Sequence, residues 1–113
     1  MTKEEIELRN KLRNRLNAET GRLSWPELER HFARGAVIRV SMDLDLVDVA
    51  AAVADDEKAR IEAWMKSGEI AHPEMDEVKD WVERQPDFWA VVVAPWVLIQ
   101  EAKSGPRDGS KEQ

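Results

Sequence analysis

The segment from Phe88 to Gln100 constrains the fold more than any other, because it is apolar at both odd and even positions yet carries Pro95 inside it. A strand apolar on both parities is one buried on both faces. Proline has no N–H to give to a ladder, so it cannot sit within a regular central strand. Fully extended, the segment would reach roughly 40 Å, too long for a compact domain of this size. It must therefore bend or bulge at Pro95, with an apolar strand on either side.

The rest of the chain supplies helices to cover it. Leu8, Leu12 and Leu16 recur every four positions from about Lys3 to Thr20, the signature of an amphipathic helix, and Gly21 offers it a left-handed terminus. Ser24-Trp25-Pro26-Glu27 opens a second helix, with Trp25, Leu28 and Phe32 on its inner face and Gly35 at its end. Ala36 to Ser41 is short, β-branched and bounded by turn formers, which predicts a strand. Leu46, Val49, Ala50 and Val53 form the stripe of a third, largely buried helix. Asp55-Asp56 interrupts it and is placed to cap a fourth helix over Glu57 to Ser67, where Ile61, Trp64 and Met65 share a face before Gly68. A brief strand at Glu69 to His72 follows, then a fifth helix from about Glu74 to Arg84 with Met75, Val78, Trp81 and Val82 at helical spacing. The expected fold is α+β. A small mixed or antiparallel sheet of about three strands, built around Phe88–Gln100, is covered by four to five helices, with a helix-turn-helix-like pair in the middle. Residues 1–102 read as one domain, and from Lys103 onward there is nothing to bury, so 103–113 is expected to be a disordered tail.

Composition excludes several kinds of function. The chain has no cysteine, hence no disulfide, thiolate metal site or cysteine nucleophile, which fits a reducing, cytoplasmic setting. Its acidic start does not read as a secretory signal, and its longest apolar run is too short to cross a bilayer. Net charge is −6, made up of +2 over residues 1–34, −9 over 35–102 and +1 over 103–113. A body this acidic repels phosphate, so nucleic acid is not an expected partner.

Few residues gather at spacings that carry chemistry. Asp43, Asp45, Asp48, Asp55 and Asp56 are the densest acids, but the first three are separated by apolar residues and lack a calcium-loop glycine, and most sit where helices begin. His31 and His72 are the only histidines and lie in different elements. No catalytic residue, cofactor or metal site is expected. Arg9, Lys11, Arg13, Arg15 and Arg22 line the first helix among glutamates, as a solvated face does. The would-be recognition helix, Glu57 to Ser67, is close to neutral, where a groove reader should be basic.

The five tryptophans are the more informative excess. Trp25, Trp64 and Trp81 fall on inward helical stripes, whereas Trp89 and Trp96 straddle the break at Pro95. Proline in a strand favours a sheet edge, and an apolar edge invites another chain. The leading expectation is accordingly a non-enzymatic protein that self-associates or binds a protein partner through the edge of the last strand, using Trp89, Pro95 and Trp96. A degenerate helix-turn-helix module binding nucleic acid comes second, and an enzyme using Asp43 and Asp45 third.

Taken together, Ser24-Trp25-Pro26-Glu27-Leu28, His31-Phe32-Ala33-Arg34-Gly35, Leu44-Asp45-Leu46-Val47-Asp48-Val49-Ala50, Asp55-Asp56, Trp64 and Ala94-Pro95-Trp96-Val97-Leu98 resemble one family. It is the set of small bacterial proteins known as domain of unknown function family 2288. The resemblance spans about residues 8 to 101 and implies a stand-alone cytosolic bacterial protein. It brings no reaction, ligand or partner to any position.

Overall fold

The computed structural model describes residues 2–102, so the tail expected after Lys103 lies outside the described residues. The elements run α1 (Lys3–Glu19), β1 (Gly21–Ser24), α2 (Trp25–Ala33), β2 (Val37–Val40), α3 (Leu46–Ala54), α4 (Lys58–Ser67), β3 (Ile70–Ala71), α5 (Met75–Arg84), β4 (Asp87–Val93) and β5 (Trp96–Glu101). The strands form one mixed sheet in the order β1-β4-β5-β2-β3. All neighbours are antiparallel except β2 and β5, which run parallel.

The α+β class and the five helices are as expected, while the sheet has five strands in place of about three. Two differences account for the change. Phe88–Gln100 does not bulge; it folds back on itself as the β4–β5 hairpin, with Val93 opposite Trp96 and only Ala94-Pro95 between them. Placing Pro95 in the turn removes the cost of its missing donor, since no ladder bond is due there. The second difference is Gly21, which begins β1 and does not close α1 in a left-handed conformation. The helix ends instead at Thr20, whose hydroxyl donates to the Leu16 carbonyl at 2.7 Å.

The hairpin lies inside the sheet, β4 between β1 and β5 and β5 between β4 and β2, but β1 covers the outer side of β4 only over Asp87–Ala90 and leaves Val91–Val93 without a strand neighbour there. The expectation that Phe88–Gln100 forms a sheet edge is thus corrected in part: β5, with Trp96, is an interior strand, and the open edges belong to β1, β3 and Val91–Val93 of β4.

Helices cover both faces of the sheet, which is why the hairpin is apolar on both parities. Phe88, Ala90, Val97 and Ile99 face α2 and α5 and pack with Trp25, Leu28, Val37, Val78 and Trp81. Trp25 lies 5.8 Å from Phe32 and 5.8 Å from Trp81, which meets Phe88 edge to face at 5.0 Å. Such pairs contribute about 0.5–1.5 kcal/mol each beyond the area they bury. On the opposite face Val91 and Leu98 pack with Leu16 of α1, Leu46, Val49 and Ala50 of α3, and Ile70 of β3.

Local caps follow the residue types with one exception. The Ser24 amide and hydroxyl both donate to Glu27 Oε1 at 2.9 Å, and Asp45 Oδ1 accepts from the Val47 amide at 2.9 Å. Gly68 ends α4 at φ 81°, a conformation glycine adopts without penalty. Asp55 and Asp56, by contrast, do not cap α4. Asp55 terminates α3, Asp56 turns the chain at φ 54°, and Glu57 occupies the position before α4. Short acidic side chains tolerate the left-handed region better than most, which suits Asp56 to that turn.

Candidate interaction site at one end of the sheet

Trp96 begins β5 at the end of the sheet where β2 also starts and β3 finishes. Its side chain alternates with that of Val97, so it stands on the face that carries α3 and α4. Neither helix reaches far enough to cover it, and Trp96 remains 36% exposed. Its ring lies 5.9 Å from that of His72, tilted by 59°. His72 Nδ1 is 3.2 Å from the Val37 carbonyl. A carbonyl only accepts, so Nδ1 is the donor of this bond.

Beside this pair an open groove of about 240 Å³ runs between α4 and the sheet. Ile38, Ile61, Ile70 and Leu98 form its apolar walls, with Met65, Trp96, His72 and Asp56 also lining it. Met65 is 52% exposed. Around the corner of the hairpin, Val92 is 59% exposed and Ala94 and Pro95 are exposed. Exposed apolar residues therefore stand on both faces at this end of the sheet.

Of the residues singled out from sequence, Pro95 and Trp96 meet here and Trp89 does not. Trp89 lies on the same face as Trp96 but four positions down the ladder from Val93, the residue opposite Trp96, or roughly 13 Å along the strand. It is 39% exposed, and the Arg22 guanidinium lies 4.6 Å from its ring centre while also pairing with Asp87 at 3.4 Å. Met65, Ile61 and His72 were not anticipated as part of a surface. Spacing gave no signal for this: Ile61, Trp64 and Met65 span only about 100° of the α4 surface, the ordinary width of a stripe that faces a core.

Two of the clustered aspartates, Asp45 and Asp48, are occupied elsewhere. Asp45 caps α3 and pairs with Arg13 at 3.3 Å. Asp48 is held by Arg13 at 3.0 Å and by Arg60 at 2.8 Å, tying α1 and α4 to α3. Burial opposes the charge on Arg60, but Asp48 and Glu57 outweigh it and raise its affinity for a proton. Asp43 donates its amide to Ser41 Oγ and is exposed. Among the described residues, no three His, Asp or Glu side chains stand together as a metal site.

The helix-turn-helix outline exists as α3 and α4, but its one arginine is engaged. Arg60 is bound to Asp48 and Glu57 and lies 4.8 Å over Trp64, while Lys58 is near Asp56. On the far side of the sheet Arg84 links Asp80 of α5 to Glu101 of β5, and Arg39 of β2 meets Glu77 at 2.9 Å. The hydrogen bonds from Arg84 hold the Asp80 carboxyl below the ordinary carboxylate range. His31 is coupled only to Arg34, at 2.8 Å from its Nδ1. No helix among the described residues is long and apolar enough to cross a membrane.

The sequence profile of the family described as protein of unknown function, DUF2288, matches residues 11–101, which include every strand and four of the helices in full. The chain belongs to the DUF2288 family. The expected resemblance is thereby established. The solution NMR structure of PA1075 from Pseudomonas aeruginosa is similar to this DUF2288 chain at 47% identity and a TM-score of 0.72, covering 84% of this chain and 89% of that one. No curated protein matches the chain.

Proposed function

We propose that this DUF2288 protein works by binding another protein and that the docking surface is the Trp96 end of the sheet. One observation carries the reading: Trp96 and Met65 are left exposed on an apolar groove, with Pro95 and Val92 exposed at the adjoining hairpin, whereas Asp45 and Asp48 are taken up in a cap and in ion pairs. A tryptophan at the centre of an apolar patch, bordered by an adaptable methionine, has the composition of a binding hot spot.

At about 240 Å³ the groove is smaller than the roughly 300–1,000 Å³ typical of small-molecule sites. It suits one large apolar side chain projecting from a partner. Asp56 on its lining and the net charge of −9 over residues 35–102 favour lysine or arginine beside that anchor.

Defined peptides test this. The amidated tripeptide lysine–tryptophan–lysine should shift the Trp96 indole and Met65 methyl resonances while leaving those of the buried Trp25 and Trp81 in place. Lysine–alanine–lysine should leave all of them unmoved, and Trp96→Ala should abolish the Met65 shift. The reading fails if neither resonance responds to the tryptophan peptide, or if all five indoles respond alike.

A further inference from the structure

The N-terminal half of helix α1 is not packed on the body: Glu5, Leu8 and Arg9 are exposed on an open groove of about 290 Å³ whose other wall includes Asp48 and Ala51 of α3 and Arg60 of α4. Leu16 is its single buried residue and Leu12 and Arg13 are half-buried, while residues 2–11 are exposed throughout. Helices of this length are marginal in water without tertiary support, so the first two turns of α1 lack the packing that normally stabilises such a segment.

The exposed part is not uniform. Glu4, Leu8, Lys11 and Arg15 follow one another at spacings of four, three and four, the spacing of a helix-pairing seam, and all four are exposed. Leu8 is 66% exposed, the most of any large apolar residue in the body. Glu4, Lys11 and Arg15 make no ion pair among the described residues. The stripe is acidic at its N-terminal end and basic at its C-terminal end, which makes it complementary to itself when reversed.

We infer that α1 pairs antiparallel with α1 of a second copy of this chain, across a two-fold axis midway between Leu8 and Lys11. In that register Glu4 of one helix faces Arg15 of the other at both ends of the pair. The two Leu8 side chains lie within about 5 Å of each other along the axis, covered by the alkyl stems of the two Lys11 residues. A parallel pair would instead place Glu4 on Glu4 and Arg15 on Arg15, which is repulsive. Contact between two helices of this length is at the small end of specific interfaces, so the dimer is weak and concentration-dependent. The family match begins at residue 11, so half of the stripe precedes it, and the pairing belongs to this chain and not to the family at large. It uses a surface separate from the groove at Trp96 and stands or falls independently of it.

Sedimentation equilibrium on the full chain over a broad concentration range should give a mass rising from monomer to dimer. Leu8→Glu should hold it at monomer with an unchanged denaturation midpoint, since Leu8 lies outside the core. Glu4→Lys and Arg15→Glu should each weaken the dimer, and the double variant should restore it. The chain contains no cysteine, so orientation can be read from single introduced thiols. Leu8→Cys should cross-link on mild oxidation. Glu4→Cys should not, because the two sites are about 16 Å apart along an antiparallel pair, beyond the reach of a disulfide. A parent chain monomeric at every concentration, a dimer indifferent to Leu8→Glu, or equal cross-linking through Glu4→Cys would each overturn the proposal.

Discussion

The Gln100 side chain on β5 donates from its Nε2 to the carbonyls of both Ser41 and Leu44, at 2.7 and 2.8 Å, and so fastens the loop between β2 and α3 to the middle of the sheet. Removing the amide leaves two carbonyls in partly buried surroundings without their donor, a loss of about 1–3 kcal/mol. Gln100→Leu should lower the unfolding free energy from urea titration by that amount and raise hydrogen exchange in α3, whose cap at Asp45 the loop positions.

The two faces of β4 should respond unequally to truncation. Phe88 is fully buried against Trp81, and Phe88→Ala should cost about 3–5 kcal/mol by leaving a cavity. Trp89→Ala, one residue on and facing the other way, removes an exposed ring and its contact with Arg22 and should cost about 1 kcal/mol or less. Equilibrium unfolding of the two variants checks the contrast, and equal losses would contradict the two-sided core.

Asp48 joins three helices through Arg13 and Arg60, but all these side chains are partly exposed. Exposed pairs contribute about 0–1 kcal/mol each and are screened by salt. Asp48→Asn should therefore destabilise the protein modestly at low ionic strength and almost not at all in molar salt. A loss independent of salt would mean that packing, not charge, is what the aspartate supplies.

Acid should unfold the protein in a defined window. Glu27 is held below the usual carboxylate range by the Ser24 amide first and the Ser24 hydroxyl second, and Asp80 is lowered by its hydrogen bonds from Arg84. A depressed folded value means the stabilisation is complete above the unfolded value of about 4 and is lost as pH falls through the folded one. The urea midpoint should be flat from neutrality to about pH 5 and fall below that. Glu27→Gln should make the fall shallower.

Trp96 and Trp81 should separate function from stability. Trp81 is buried between Trp25 and Phe88, so Trp81→Ala should cost about 3–5 kcal/mol. Trp96 rests only partly on the protein, and Trp96→Ala should change the thermal midpoint little while removing the response to the tryptophan tripeptide.

Much of this fold was legible because local signals and burial agreed. The Ser24–Glu27 start of α2, the stripe of α3 and the glycine ending α4 each depend on neighbouring residues alone. What escaped reading depends on distant ones. Gly21–Ser24 has no β-branched residue, and it is a strand because the outer edge of β4 offers it a ladder. The hairpin turn at Ala94-Pro95 has none of the Asn-Gly character that marks tight turns, so a bend was evident and a reversal was not. The site was half visible for the same reason. Trp96 and Pro95 stood out by composition, whereas His72 and Met65 join them only because β3 lies beside β2 and α4 leans over that end of the sheet.

The order of the strands also bears on how the chain avoids aggregation. The run from Phe88 to Val93 has the residue types that stack readily into fibrils, and it is paired along its whole length with β5 on one side and over Phe88–Ala90 with β1 on the other. The outermost strands are short, Gly21–Ser24 and Ile70–Ala71, and offer little template to a neighbouring molecule. Detachment of β1 would lengthen the uncovered edge of β4 from Val91–Val93 to the whole strand, so conditions that loosen β1 are those under which this protein should begin to clump.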